Sequence, residues 1–99
     1  MTDAKHEPVH PGEVLLEDFL KPMGISRYTL ARATGMPAQR IGDIVRGRRA
    51  MTADTALRLA RYFDMEPEFW LNLQMRYELD RAVEALGERL AFEVQPAPR

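Results

Sequence analysis

The run Arg27-Tyr-Thr-Leu-Ala-Arg-Ala-Thr-Gly-Met-Pro-Ala-Gln-Arg-Ile-Gly-Asp-Ile-Val-Arg46 decides the fold of this chain. Leu30, Ala31 and Ala33 offer a compact packing face on a first helix, and the small Ala31 leaves room for a second helix to cross closely. Gly35 makes the turn, because a residue ending a helix there needs a left-handed backbone that glycine adopts without a Cβ clash. Pro37 restarts the chain. Its fixed φ and missing N–H suit the first turn of a second helix, predicted from about Pro37 to Arg46. Two helices around so tight a turn make a helix-turn-helix, a unit that lays its second helix in a DNA groove.

Angular spacing of about 100° per residue orients that second helix. Ile41, Ile44 and Val45 form one apolar stripe facing into the domain. Gln39, Asp43 and Arg46 lie roughly opposite, and all three carry hydrogen-bonding groups of kinds that read base edges in a major groove. Arg40 and Gly42 flank them. A glycine inside a helix costs about 1 kcal/mol relative to alanine, so Gly42 points to another surface approaching the backbone closely, with DNA one candidate, against the plain reading of a packing accident.

The charge pattern agrees with that placement. The net charge of −1 hides a segregation of signs: residues 26–62 carry eight arginines against Asp43 and Asp54, while the segments on either side are both acidic. A basic block that coincides with the helix-turn-helix and its following loop is the electrostatic footprint of a phosphate-facing surface. At 99 residues the chain is expected to form one modest domain that oligomerisation would help. It has no cysteine, which excludes disulfides and thiolate metal sites and fits a reducing cytoplasm. Its two histidines, His6 and His10, lie near the N-terminus without partner ligands, so neither a metal nor a cofactor is expected. No apolar run reaches the ~20 residues of a membrane span, and the N-terminus lacks the apolar region of a signal peptide.

The remaining elements read as helices. Residues 1–9 are predicted as a flexible tail, residues 10–90 as a single helix-turn-helix domain that includes a C-terminal dimerisation helix, and residues 91–99 as a second tail. His10-Pro11-Gly12-Glu13 starts the first helix, with proline near N1 and an acid in the first turn. Val14, Leu15, Phe19 and Leu20 are its apolar face, and Pro22-Met23-Gly24 ends it. Ser26 and Thr52 are placed to cap the second and fourth helices, and Gly47 stops the third. Ala56, Leu59, Ala60 and Phe63 recur with helical period, and Pro67 opens a fifth helix in which Phe69, Trp70, Leu73 and Tyr77 close the core. Leu79, Val83, Leu86 and Leu90 continue at a spacing close to a coiled-coil seam. That stripe runs past the bundle, so it either meets a second copy of the chain or folds back onto the first helix. Gly87 is a candidate helix end, and period alone leaves residues 90–94 open between a helix and an extended segment.

Four blocks in this order carry a resemblance: His10-Pro11-Gly12-Glu13; Arg40-Ile41-Gly42-Asp43-Ile44-Val45-Arg46-Gly47-Arg48-Arg49; Thr52-Ala53-Asp54-Thr55-Ala56-Leu57-Arg58-Leu59-Ala60; and Phe69-Trp70-Leu71-Asn72-Leu73-Gln74. Over roughly residues 10–80 the chain resembles the HigA-type (VapI-like) antitoxins of bacterial toxin–antitoxin operons, within the Cro/C1-type (lambda-repressor-like) helix-turn-helix repressors. The resemblance implies an all-α five-helix bundle with an extended C-terminal helix. It also implies a cytoplasmic homodimer that binds a palindromic operator, represses its own operon and neutralises a RelE-like (HigB-type) ribonuclease. Free-standing relatives keep open an alternative, a transcriptional regulator without a toxin.

In that reading Gln39, Arg40, Asp43 and Arg46 contact bases. Gln39 suits adenine, Arg46 suits guanine, and Asp43 either accepts from cytosine or orients Arg40 or Arg46. Ser26, Arg27, Tyr28, Arg48, Arg49 and Thr52 hold phosphates and so position the helix. Arg58 and Arg61 read as ordinary surface ion pairs. An enzyme is disfavoured: there is no cysteine nucleophile, glycine-rich phosphate loop or His–carboxylate cluster, and Glu17 with Asp18 or Asp80 with Glu84 read as exposed helix acids.

Overall fold

The computed structural model describes residues 7–99, so His6 and most of the N-terminal tail lie outside the described residues. Those residues form six helices. Helix α1 is continuous from residue 11 to 23, built from Pro11–Val14, a π-helical turn at Leu15–Leu20 and a last turn at Lys21–Met23. Pro22 accounts for the widening, since it has no N–H to give and its ring crowds the carbonyl four residues back. Helix α2 is Arg27–Thr34, α3 Ala38–Val45, α4 Ala53–Phe63, α5 Pro67–Leu86 and α6 Arg89–Glu93.

The core gathers one or two side chains from each of the first five helices and the turns between them. Leu15, Leu30, Ile41, Ile44, Ala56, Leu59 and Trp70 are almost completely buried, with Met36 and Met51 sealing the turns. Each large apolar residue buried in this way stabilises the fold by about 1.5–3 kcal/mol. Phe19 lies between Phe63 and Trp70, with ring centroids 4.9 and 5.0 Å away, so α1, α4 and α5 meet in one aromatic contact.

Ala33 is exposed, contrary to its expected place in the packing face, and Thr34 is buried instead. The threonine fits there because its hydroxyl donates to the Leu30 carbonyl at 2.6 Å, which leaves no polar atom unpaired. The stripe on α4 is as read, with Leu57 outward.

Helix α5 spans 20 residues, about 30 Å at 1.5 Å per residue. Its first half closes the core against α4, and its second half extends beyond the bundle. Gly87, at φ 55°, ends it. Residues 89–93 then form the short helix α6, tied by an Arg89–Glu93 ion pair of 3.1 Å. Residues 90–93 are therefore helical rather than extended, and the chain straightens from Val94.

Candidate nucleic-acid interface

The turn that aims α3 is built from local chemistry. Ser26 caps α2 by accepting from the Thr29 N–H at 3.0 Å. Gly35 takes φ 73°, and the Met36 N–H then reaches the Ala31 carbonyl at 3.1 Å. Pro37 stands at the N-cap of α3 with ψ 141°, one residue earlier than expected, so α3 begins at Ala38. Ile41 and Ile44 are wholly buried, and their burial fixes which face of α3 turns outward. Gln39 and Arg46 are exposed on that face, with Asp43 half-buried beside them.

The sequence alone did not disclose what holds the far end of α3. Gly12 is buried against the Ile44 carbonyl and Val45, where a β-carbon would collide with backbone. His10 caps α1, its Nδ1 accepting the Gly12 N–H at 2.8 Å. The same ring packs edge-on to Tyr77 at 4.8 Å and lies beside Gly47. Burial pushes the His10 pKa down, and the Arg49 backbone, which favours the protonated ring, opposes that shift without cancelling it. The His-Pro-Gly-Glu block thus ties α1 to the loop that follows α3. A second tie comes from Gln74 of α5, whose buried Oε1 accepts the Met51 N–H at 2.7 Å while its Nε2 donates to Glu78 at 2.8 Å.

The arginines of the basic block divide into two groups. Arg40 and Arg58 both hold Asp54, at 2.9 and 3.1 Å, and their hydrogen bonds lower the Asp54 pKa below the usual carboxylate range. Arg58 also donates to the Thr34 carbonyl at 2.9 Å, satisfying the C-terminal end of α2. Arg58 is thus the ion pair the sequence suggested, whereas Arg61 has no acid partner among the described residues. Arg40 is partly withdrawn from the outer face, held by Asp54 rather than by Asp43.

Arg27, Arg32, Arg46, Arg48, Arg49 and Arg61 are unpaired with acids among the described residues. Arg27 and Arg46 lean over Gly42, so the surface that approaches this glycine is supplied by the protein's own guanidinium groups. Arg27 also donates to the Tyr28 hydroxyl at 3.2 Å and lies 5.1 Å from its ring centroid. This hydrogen bond and the charge behind it, with Arg46 adding to it, pull the Tyr28 pKa below the ordinary phenol value. The Ser26 and Thr52 hydroxyls both face their own helix starts, accepting from Thr29 and Thr55 N–H groups.

Away from this face, Leu79, Val83 and Leu90 are exposed on α5 and α6, and Leu86 is half-buried. They do not fold back onto α1. Among the described residues no group of three or more histidines and acids is placed to hold a metal, and no helix is long and apolar enough to cross a membrane.

A family model described as "Helix-turn-helix" matches residues 16–70, the stretch from α1 into α5. Virulence-associated protein I of Dichelobacter nodosus is 53% identical over 74 residues, covering 75% of this chain and 68% of that protein. Antitoxin HigA-1 of Vibrio cholerae serotype O1 is 39% identical over 79 residues, 80% of this chain and 74% of its own length. The chain belongs to the HigA- and VapI-like antitoxins of the helix-turn-helix family. The likeness extends to three dimensions: the structure of the Pseudomonas aeruginosa antitoxin HigA with the higBA promoter superposes with a TM-score of 0.87 at 45% identity, over 92% of this chain and 99% of that one. Antitoxins of this family share the all-α bundle with an extended C-terminal helix seen here.

Proposed function

We propose that this chain is a DNA-binding antitoxin that represses its own operon as a dimer and neutralises a RelE-like ribonuclease. The observation that carries the reading is the outer face of α3, with exposed Gln39 and half-buried Asp43 flanked by Arg27, Arg46, Arg48 and Arg49. It is supported by the similar antitoxin solved with the higBA promoter. Gln39, near the N-terminal end of the recognition helix, and Asp43, one turn further on, read base edges in a major groove. Arg40 joins them when it exchanges Asp54 for a base. Arg48 and Arg49, with Ser26, Tyr28 and Thr52 nearby, set the helix on the phosphate backbone.

Leu79, Val83, Leu86 and Leu90 form the dimer contact, which places two recognition helices about 34 Å apart on a palindromic operator. The acidic segments outside residues 26–62 complement a basic toxin. Co-expression of the tagged chain with its neighbouring reading frame tests the antitoxin role. A stoichiometric complex with loss of the neighbour's toxicity supports it. A chain that purifies alone as a dimer beside a harmless neighbour would instead leave a stand-alone regulator.

A further inference from the structure

We infer that Arg27 and Arg46 form a two-arginine clamp for a single backbone phosphate of DNA, with Gly42 as its floor. The inference rests on the DNA-binding reading above and changes the role of Arg46 from base reader to phosphate ligand. The Nη1 atoms of Arg27 and Arg46 lie 2.9 and 3.0 Å from the place a Gly42 β-carbon would occupy. Two guanidinium groups from different helices therefore converge on one spot, and neither is paired with a carboxylate among the described residues. Like charges so arranged repel until an anion bridges them, and the planar fork of arginine matches phosphate oxygens two at a time.

The surroundings fit that ligand. Arg27, Tyr28, Ala38, Gln39 and Arg46 line an open cleft of about 280 Å³, so an anion reaches both cations from the side on which Gln39 faces the groove. The Tyr28 hydroxyl accepts from Arg27 at 3.2 Å and holds that guanidinium toward the cleft. Arg46 is the C-cap residue of α3, at the opposite end from Gln39. Base edges are met mainly by the first residues of a recognition helix, so the far end is placed to meet the strand backbone. A β-carbon there would meet only the tips of these two flexible side chains, which would have to shift slightly to make room. Helix propensity alone would favour alanine there.

The clamp is tested by the salt dependence of binding of the full chain to a 20-base-pair duplex of arbitrary sequence, compared with Arg27→Ala, Arg46→Ala, the double variant and Gly42→Ala. Sharing one phosphate predicts that the double variant lowers the slope of log K against log salt by about one unit, with each single variant well below that. It also predicts that Arg46→Ala loses the same factor on arbitrary DNA as on the promoter upstream of the chain's own gene. Gly42→Ala, which keeps the helix and only nudges the two guanidinium tips, is expected to weaken binding less than either single arginine variant. A slope loss of about two units in the double variant, or an Arg46→Ala loss confined to promoter DNA, would overturn the clamp and leave the DNA-binding reading intact. No salt-dependent binding by the unaltered chain would overturn both.

Discussion

Gly12 of α1 packs directly on the backbone carbonyl of Ile44 in α3, leaving no room for a β-carbon between them. The end of the recognition helix is therefore held by a backbone-to-backbone contact rather than by interlocking side chains. Gly12→Ala is expected to destabilise the fold by about 3 kcal/mol, the upper range for overpacking, because backbone cannot move aside as a side-chain tip does. Urea unfolding measures this. A loss below about 0.5 kcal/mol would mean that α1 and α3 separate easily.

His10 gives the domain a pH dependence of definite sign. Its pKa is lowered in the folded state, so below its ordinary value the unfolded chain binds the proton more readily than the folded one. Its contribution is thus fully present above about pH 6.5 and is lost as the pH falls below that value. Burial of the ring is the cause of the preference, and the neutral Nδ1 is the form that caps Gly12. His10→Asn keeps a capping oxygen and is expected to flatten the part of the stability profile below about pH 6.5 that belongs to this group. Thermal unfolding of both proteins across that range checks it, an unchanged difference in slope counting against the assignment.

Gln74 ties α5 to the loop before α4 through one buried hydrogen bond. Replacing it with methionine leaves the Met51 N–H unpaired at a similar side-chain volume, and the expected cost is about 1–3 kcal/mol. Equilibrium unfolding reads this directly. A neutral substitution would show that the loop finds another acceptor.

What was legible in the sequence follows the range of each interaction. Ser26, Gly35 and Thr52 were readable because capping and turn chemistry act within three or four residues. The inward stripe of α3 was readable because burial follows helical period. Arg40 with Asp54 and Met51 with Gln74 were not, since those partners are 14 and 23 residues apart and no local pattern links them. Gly12 stood out only as part of a block that carries the family resemblance, because its reason is a contact with another helix. Ala33 was misplaced because a short helix leaves its phase uncertain by one position, which Thr34 takes by bonding its hydroxyl to the helix backbone. The stop at Gly47 is a local signal, whereas the convergence over Gly42 needs Arg27 from the preceding helix.

The exposed stripe on α5 predicts an oligomer that a single charge disrupts. Val83 is 67% exposed in the isolated chain, next to Leu79 at 53%. If these side chains meet their counterparts in a dimer, Val83→Asp raises the dimer dissociation constant at least about tenfold without unfolding the bundle. Sedimentation equilibrium measures the constant. Unchanged association would move the dimer contact elsewhere on the molecule.

Binding of the full chain to the promoter upstream of its own gene, with the number of chains per duplex counted by native mass spectrometry, tests the central claim most directly. The account predicts two chains per operator, half-sites one helical turn apart at about 34 Å, and much weaker binding to a scrambled duplex at equal salt. Equal affinity for promoter and scrambled DNA, or saturation by a single chain, would contradict it.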